Sequence, residues 1–430
     1  MKKYKLNELT EQEVDKLINR ISINSEAATQ IVKPILEDIK ENGLSAALKY
    51  SKEFGERFGE SFKVTEKEFI EAEKNIEPDL KEAINQATQN IRLFHEKQFP
   101  KGYEVETTPG ITCSREFRAI ENVGLYIPGG SAVLFSTMLM LGIPAQIAGC
   151  KRVVVCSPTK TGKVDPALLY SAKLCGIKEF YKIGGAQAIG LMAYGDSHFQ
   201  KVYKIFGPGN QYVTAAKLLV SIDPEGCAID MPAGPSEVLV IADEIANPKF
   251  VAADLLSQAE HGMDSQSVLV SDSEKLISNV EIEITEQLSK LGRKNFAEEA
   301  LKNSYSLLVE NLEEGLNFSN KYAPEHLIMN FPKAENYKDK ITNAGSVFIG
   351  EYSPESVGDY ASGTNHTLPT SGYSKMYSGL SVESFMKSIT FQKLSKKGLK
   401  NISDSVIKMA EAEKLDAHAN AVKVRLENGN

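Results

Sequence analysis

The chain has 430 residues, a formal net charge of −8 and 42% hydrophobic residues, a composition typical of folded globular proteins that excludes disorder. This length suggests two or three domains, and the acidic balance argues against nucleic acid as the main partner, because phosphate binding needs a basic surface. We find no apolar run long enough for a membrane helix and no secretory signal. The five cysteines are scattered, so we expect free thiols in a cytoplasmic protein.

The order of secondary structure is predicted from hydrophobic periodicity. Up to about residue 120 the chain reads as mostly helical, with apolar residues at helical spacing over 26–42 and 80–98. Short apolar runs then alternate with helices, which predicts βαβ units and parallel sheets, arranged as two doubly wound α/β units. After about residue 380 we predict only helix, in two pieces over 404–428. The predicted strands are 123–127, 151–157, 179–185, 201–207, 237–243, 267–272, 304–311 and 344–350.

Phosphate-binding motifs do not identify a ligand. The sequence lacks G-x-G-x-x-G after a strand and lacks a Walker A loop. Three Gly- or Pro-rich loops, 126–130, 184–187 and 207–210, follow predicted strands, where open α/β sheets present ligand loops. Ordinary turn chemistry explains these loops equally well.

Polar residues near the end of one predicted helix form the first candidate site. Asn247 and Pro248 are suited to opening this helix as N-cap and first residue. Gln258 and His261 then lie three residues apart, on one face, near its end. They are suited to binding a metal, although a polar helix terminus explains them as well.

A second group of candidates lies further along the chain. Glu325 and His326 are adjacent in a predicted loop and form a natural acid–base set, unless the loop is simply a surface loop. A polar loop over 358–369 offers Asp359 as a hard ligand and His366 as a substrate contact, or an N-cap and a turn residue. His418 lies in a small-residue helix.

Together, these side chains would suit a metal. Gln258, His261, Asp359 and His418 would supply nitrogen and oxygen ligands without thiolate, which suits zinc, with manganese or cobalt as substitutes. His418 alone is also explained as a solvated helix residue. We read the two remaining histidines, His95 and His198, as surface residues.

Taken together, nine segments resemble one family, histidinol dehydrogenase. They extend in family order from about residue 25 to the end of the chain, and only the set as a whole is specific. The segments are VGLYIPGG (123–130), GCKRVVVCSP (149–158), IGGAQAIG (183–190), GPGNQYV (207–213), MPAGPSEVLVIAD (231–243), DLLSQAEHG (254–262), YAPEHL (322–327), GDYASGTNHTLPT (358–370) and LDAHANAV (415–422).

The resemblance implies a zinc-dependent homodimer that oxidises L-histidinol to L-histidine with two NAD, through bound L-histidinal. These are the last two steps of histidine biosynthesis. It also implies two incomplete Rossmann-like doubly wound units with small helical N- and C-terminal pieces. The implied divisions are an N-terminal piece 1–24, a domain of 25–119 plus 236–380, an inserted NAD-contacting domain 120–235, and a tail 381–430.

Residue roles carry over by motif. The resemblance implies one zinc per subunit, held by Gln258, His261, Asp359 and His418, with the last from the partner subunit, so that active sites are shared. Glu325 and His326 would be the acid–base pair. The implied substrate contacts are Ser236, Gln258, His261, His326, Asp359, His366, Glu413 and His418. The implied NAD contacts are Tyr126, Gln187 and Asn210.

Two departures from the family pattern affect affinity more than activity. The segment after Gly130 places Phe135 where we expect it to alter the NAD loop, and Lys414 stands where the family often has glycine. Other functions remain open. A dehydrogenase of another amino alcohol on the same scaffold is disfavoured by His366 and Glu413, and a non-catalytic zinc-stabilised binding protein is disfavoured by the Glu325–His326 pair. A zinc hydrolase is weaker, because H-E-x-x-H is absent.

Overall fold

A computed structural model describes residues 1–20, 25–129 and 133–427. The strands within these ranges are β1 (Lys2–Lys5), β2 (Tyr103–Thr108), β3 (Ile111–Ala119), β4 (Asn122–Tyr126), β5 (Arg152–Cys156), β6 (Glu179–Tyr181), β7 (Lys204–Phe206), β8 (Ala228–Ile229), β9 (Glu237–Ala242), β10 (Gln266–Ser271), β11 (Tyr305–Leu308), β12 (His326–Asn330), β13 (Ser346–Ile349) and β14 (Met386–Leu394). The helices are α1 (Glu11–Ile18), α2 (Ser25–Glu53), α3 (Glu66–Asn75), α4 (Pro78–Glu96), α5 (Phe135–Ala148), α6 (Pro166–Leu174), α7 (Gly185–Tyr194), α8 (Gln211–Ile222), α9 (Pro248–Ala259), α10 (Glu274–Leu288), α11 (Lys294–Lys302), α12 (Leu312–Tyr322), α13 (Glu355–Tyr360), α14 (Lys396–Ala412) and α15 (Asp416–Glu427).

Two parallel sheets share one strand order. The six-stranded sheet runs β1-β11-β10-β9-β12-β13 and the five-stranded sheet runs β6-β5-β4-β7-β8. Counted from β9, and leaving out β1 at the edge beside β11, the larger sheet runs third, second, first, fourth, fifth; counted from β4, the smaller sheet does the same. This is the doubly wound order without its sixth strand. The order reverses between β9 and β12 in one sheet and between β4 and β7 in the other. The predicted fold class of two incomplete Rossmann-like units is confirmed.

Burial on both faces explains the central strands. Every residue of β9 is buried; Val238 and Val240 pack into one hydrophobic cluster, while Leu239 and Ile241 pack into the cluster on the opposite face. Helices α9, α10 and α11 cover the first face, and α1 and α12 contribute to the second. Such strands read as continuous apolar runs, which is why the sequence predicted them.

The N-terminal segments pack differently from the predicted domain division. Helix α2 packs on α7 and α8, α3 on α6, and α4 on α5, so 25–96 covers the five-stranded sheet and not the sheet formed by 236–380. The first residues are also not purely helical, because β1 extends the six-stranded sheet beside β11; residues 21–24 of the predicted piece lie outside the described residues. Helical periodicity shows that a face is buried but does not show which sheet buries it.

A three-stranded antiparallel sheet, β14-β3-β2, was not predicted. The prediction that strands cease after residue 380 is wrong, because β14 pairs with β3 along its whole length. Most of β14 is exposed and polar, so it lacks the apolar run of a buried strand. Helices α14 and α15 follow it, and the predicted break into two helices is confirmed. In the described residues, no helix is both long and apolar enough to cross a membrane.

Lys414, in the break between α14 and α15, has φ 61°, the left-handed region that favours glycine. We therefore expect Lys414→Gly to raise the free energy of unfolding by about 1 kcal/mol. As the matched control, Lys408→Gly inside α14 should lower it by about 1 kcal/mol. Urea unfolding of the three proteins measures both changes, and destabilisation by Lys414→Gly would contradict the strain assigned to this turn.

Candidate functional site

Glu325 and His326 lie at the amino end of a central strand. They were predicted in a loop, but His326 is the first residue of β12 and pairs with Val238 of β9. Both side chains are buried, and His326 Nδ1 lies 3.6 Å from Glu325 Oε2. The carboxylate and the imidazole therefore face one another, although the local structure is a strand end.

The main chain of Glu237 holds both members of this pair. Its carbonyl oxygen lies 3.2 Å from His326 Nδ1, and its N–H donates to Glu325 Oε2 at 2.9 Å. A carbonyl only accepts, so Nδ1 carries a proton and the other ring nitrogen is free to react. That nitrogen, Nε2, is buried, finds no hydrogen-bond partner among the described residues and lies 3.6 Å from Asp359 Oδ1.

The end of α9 supplies the next two side chains. Asn247 caps this helix by accepting from the Lys249 N–H, and Pro248 is its first residue, as predicted. Gln258 is fully buried, and His261 lies just beyond the end of α9 with its ring Nε2 3.9 Å from Asp359 Oδ2. Since the carboxyl end of a βαβ helix returns to the amino edge of its sheet, both side chains lie at the edge that carries the Glu325–His326 pair.

Helix α13 supplies two carboxylates, one of which the sequence analysis missed. Asp359 was predicted in a loop but lies in this short helix, and Glu355 stands one turn before it on the same face. Potential ligand atoms of His261, Glu355 and Asp359 lie within 4.8 Å of one another. The amide of Gln258 fits beside them when its Nε2 faces Glu355, to which it then donates at 2.8 Å, and its Oε1 lies 3.2 Å from the Glu237 N–H that also donates to Glu325. The four-residue spacing of Glu355 and Asp359 was the available signal.

His366 joins the two sheets. Its Nδ1 lies 2.8 Å from the Asp359 carbonyl oxygen, and its Nε2 lies 3.1 Å from the hydroxyl of Thr137. Thr137 is in α5, directly after β4 of the five-stranded sheet. The carboxyl edge of that sheet therefore faces the amino edge of the six-stranded sheet.

Burial and neighbouring charges shift the pKa values of the side chains in the site. Burial raises the pKa of Glu325 to about 8. Burial alone would lower the pKa of His326, but the carboxylates of Glu355, Glu325 and Asp359 outweigh it and raise that pKa well above its ordinary value. Burial also lowers the pKa of His261. Glu325 is thus poised to exchange a proton near neutral pH, whereas the surrounding carboxylates favour the charged form of His326.

Not all of the remaining predicted substrate residues lie near the Glu325–His326 pair. Ser236 directly precedes β9, at the same edge as the pair. Glu413 and His418 are exposed, at and just after the break between α14 and α15. These helices pack on each other, and α14 packs on β14 and β2; His418 is not part of the group formed by His261, Glu355 and Asp359.

The predicted NAD residues lie at the carboxyl edge of the five-stranded sheet. Tyr126 ends β4, and its hydroxyl accepts from the Gly185 N–H at 3.1 Å. Gln187 is buried in α7, and Asn210 caps α8 through its side-chain oxygen. The structure thus brings Tyr126 and the 184–187 loop together. Gly130, at the end of the first loop, lies outside the described residues.

Two other predictions concern side chains around this region. Phe135, the first residue of α5, is half-buried against the core of the five-stranded sheet. The interpretation of His95 as a surface residue is wrong, because its ring is buried and its Nε2 accepts from the amide of Asn365 at 3.2 Å. His198 is exposed, as predicted.

The fold and the site define an α/β enzyme with a buried carboxylate–imidazole pair beside a potential metal site. The family model described as histidinol dehydrogenase matches residues 18–426. Histidinol dehydrogenases of Bacteroides fragilis and Pseudoalteromonas translucida are 53% and 49% identical, with 96% and 98% of each chain covered. The crystal structure of histidinol dehydrogenase from Elizabethkingia anophelis has a TM-score of 0.95 at 52% identity, covering 99% of this chain and 98% of that one. The chain belongs to the histidinol dehydrogenase family and is an oxidoreductase.

Asp254, one turn before Gln258 in α9, is buried, and this raises its pKa to about 7. At pH values above 3.8, the ordinary pKa of this carboxyl, the unfolded chain releases the proton whereas the folded protein retains it. The free energy of unfolding therefore falls as the pH rises towards 7. We therefore expect Asp254→Asn to raise the free energy of unfolding, by an amount on the order of 2–4 kcal/mol at about pH 8 and by much less at about pH 4.

Urea unfolding of chelator-treated protein at the two pH values measures this change. The exposed Glu41→Gln serves as control and should change stability by less than about 0.5 kcal/mol at either pH. An Asp254→Asn effect that does not vary with pH would contradict a buried, protonated carboxyl.

Proposed function

We propose that the protein oxidises L-histidinol to L-histidine through L-histidinal, using NAD and zinc, as the last two steps of histidine biosynthesis. The observation that carries this proposal is the buried Glu325–His326 pair, which opens onto the group of His261, Glu355 and Asp359. Membership of the histidinol dehydrogenase family supports the substrate.

The side chains present suit zinc. One imidazole, carboxylates and an amide converge without a thiolate, and zinc accepts nitrogen and oxygen ligands. We assign Gln258, His261 and Asp359 as ligands, with His418 from the partner subunit as the fourth, and Glu355 as the group that orients the Gln258 amide. Zinc held there would orient the amine and imidazole nitrogens of the substrate.

The carboxyl edge of the five-stranded sheet suits NAD, with Tyr126, Gln187 and Asn210 as contacts. Oxidation of an alcohol to a carboxylate removes four electrons, so two NAD each accept one hydride. The contact between His366 and Thr137 supports this placement, because it brings the edge that carries these loops against the substrate site.

His326 is the proton acceptor in both oxidations. Its Nδ1 proton is fixed on the Glu237 carbonyl oxygen, so in the neutral ring Nε2 takes the proton of the substrate hydroxyl as the first hydride leaves. The carboxylates around the ring favour its charged form, and zinc held beside them would offset their charge and favour the neutral form. Asp359, 3.6 Å away, stabilises the imidazolium that forms. A positioned base of this kind typically contributes a factor of ~10²–10⁴ in rate.

Glu325 acts between the two oxidations. Its carboxylate takes a proton from a water that adds to the aldehyde carbon, while the His326 imidazolium returns its proton to the aldehyde oxygen. The hydrate that forms then gives up the second hydride to NAD as neutral His326 takes its hydroxyl proton. Burial, which raises the pKa of Glu325 to about 8, makes this carboxylate a stronger base than an exposed one. Ser236, His366 and the carboxylate of Glu413 would bind the cationic substrate, and a closed site would retain the reactive aldehyde.

The stoichiometry of the reaction tests this proposal. We expect the zinc-loaded protein to form two NADH per L-histidinol consumed, to lose this activity on chelation and to regain it when zinc is added back. One NADH with release of aldehyde would contradict the role given to Glu325. No NADH from histidinol, with turnover of a different amino alcohol, would favour the alternative dehydrogenase; zinc binding without any turnover would favour a binding protein.

We propose further that the protein is a homodimer with shared active sites, because Glu413 and His418 are exposed on the tail while the other proposed ligands lie at the six-stranded sheet. Mixing inactive His418→Ala and Glu325→Gln subunits should then restore about a quarter of the wild-type activity, since half of the randomly formed dimers carry one intact site.

The control for subunit mixing pairs Glu325→Gln with His326→Ala. Each site takes Glu325 and His326 from the same subunit, so every site in a mixed dimer lacks one of the two. No intact site can form, and activity should stay absent. Equal activities of the two mixtures would contradict shared sites.

A further inference from the structure

The end of the N-terminal segment reaches beneath the acid–base pair. Arg20, two residues beyond α1, has a largely buried side chain that makes three contacts at the base of the site. Its Nε contacts the Glu237 carboxylate, its second terminal nitrogen donates to the Ala323 carbonyl oxygen at 3.3 Å, and its guanidinium lies 3.7 Å from the ring centre of Tyr322.

The Glu237 side chain is fixed on several sides by these contacts. Besides Arg20, it accepts from the Tyr322 hydroxyl at 3.3 Å and from the Ser371 N–H at 2.8 Å. Ser371 follows the segment that carries His366. One buried carboxylate therefore joins the N-terminal segment, the end of α12 and the loop after His366.

The main chain of the same residue holds the reacting groups. The Glu237 N–H binds Glu325 and its carbonyl oxygen binds His326. Fixing the Glu237 side chain thus limits movement of both of these contacts. In the described part of the chain, no other residue forms main-chain hydrogen bonds with the side chains of both Glu325 and His326.

Arg20 also acts on the turn that leads into the pair. Ala323 has φ 54°, a left-handed conformation that is unfavourable for alanine. It lies two residues before Glu325, and Arg20 binds its carbonyl oxygen. The guanidinium therefore fixes both the turn that carries the pair and the residue that holds it.

Stability alone gives little reason for this arrangement. A buried ion pair loses much of its attraction to the cost of removing both charges from water, and apolar replacements of such pairs are often as stable. We propose that Arg20 is a positioning residue for the Glu325–His326 pair. This inference rests on the acid–base roles proposed above.

Arg20→Met tests the proposal through the split between kcat and KM. A displacement of about 1 Å at a reacting group costs up to about 100-fold in rate, so we expect kcat per folded, zinc-loaded subunit to fall about 10–100-fold. KM for L-histidinol should change by less than about threefold, because the contacts of Arg20 are with Glu237, Ala323 and Tyr322 and not with the proposed substrate residues. Arg20→Lys, which keeps a positive charge beside the Glu237 carboxylate, should retain part of the kcat that Arg20→Met loses.

Arg152→Met is the matched control. Arg152 makes a two-fold hydrogen-bonded pair with Glu179, both contacts at 2.8 Å, in the five-stranded sheet away from the acid–base pair. Loss of this pair should lower stability and leave kcat within about twofold of wild type. Equal kcat losses in Arg152→Met and Arg20→Met would assign Arg20 a merely structural role.

Crystal structures of wild type and Arg20→Met give a readout independent of turnover; if Arg20→Met does not fold, Arg20→Lys replaces it, with a smaller displacement expected. We expect the distance from His326 Nδ1 to the Glu237 carbonyl oxygen to lengthen from 3.2 Å to beyond about 3.5 Å. Unchanged contacts of Glu237 with Glu325 and His326 would overturn the inference. A wild-type protein that does not oxidise histidinol would contradict the proposed function, while the crystallographic comparison would still decide the role of Arg20.

Discussion

The parallel pairing of β9 with β12 is the constraint on which the site depends. It aligns the amino ends of two buried strands, so that the main chain of Glu237 faces Glu325 and His326 at the same time. Hydrogen bonds to main-chain groups of a central strand are fixed by the whole sheet, and a ring held in this way has one defined reactive nitrogen. The apolar core on both faces of β9 therefore also determines the geometry of the acid–base pair.

The two sheets meet by opposite edges, and this explains how one scaffold can serve two ligands. Open α/β sheets usually bind ligands at the carboxyl ends of their strands, where the strand order reverses. The five-stranded sheet presents Tyr126 there, whereas the six-stranded sheet presents His326 at the amino end of the corresponding pair of strands. The contact between Thr137 and His366 joins these edges, so a hydride acceptor bound at the first would face an alcohol bound at the second.

Much of this architecture could be predicted from the sequence, because strands buried on both faces leave apolar runs and helix starts leave capping residues such as Asn247. The exposed strand β14 left no such run, and helical periodicity did not show which sheet α2 covers. Within the site, motifs identified the side chains but not their surroundings. Glu355 was missed although its spacing to Asp359 is helical, and the contact between Arg20 and Glu237 could not be inferred, since residues so far apart in the chain meet only through the fold.

We propose above all that the amino edge of the six-stranded sheet is a metal-assisted active site. Anomalous diffraction from crystals of the zinc-loaded protein, measured on both sides of the zinc absorption edge, tests it most directly. We expect one zinc peak per subunit within bonding distance of His261 and Asp359, beside the Glu325–His326 pair. A peak bound elsewhere, or no peak in protein that oxidises histidinol after extensive chelation, would contradict it.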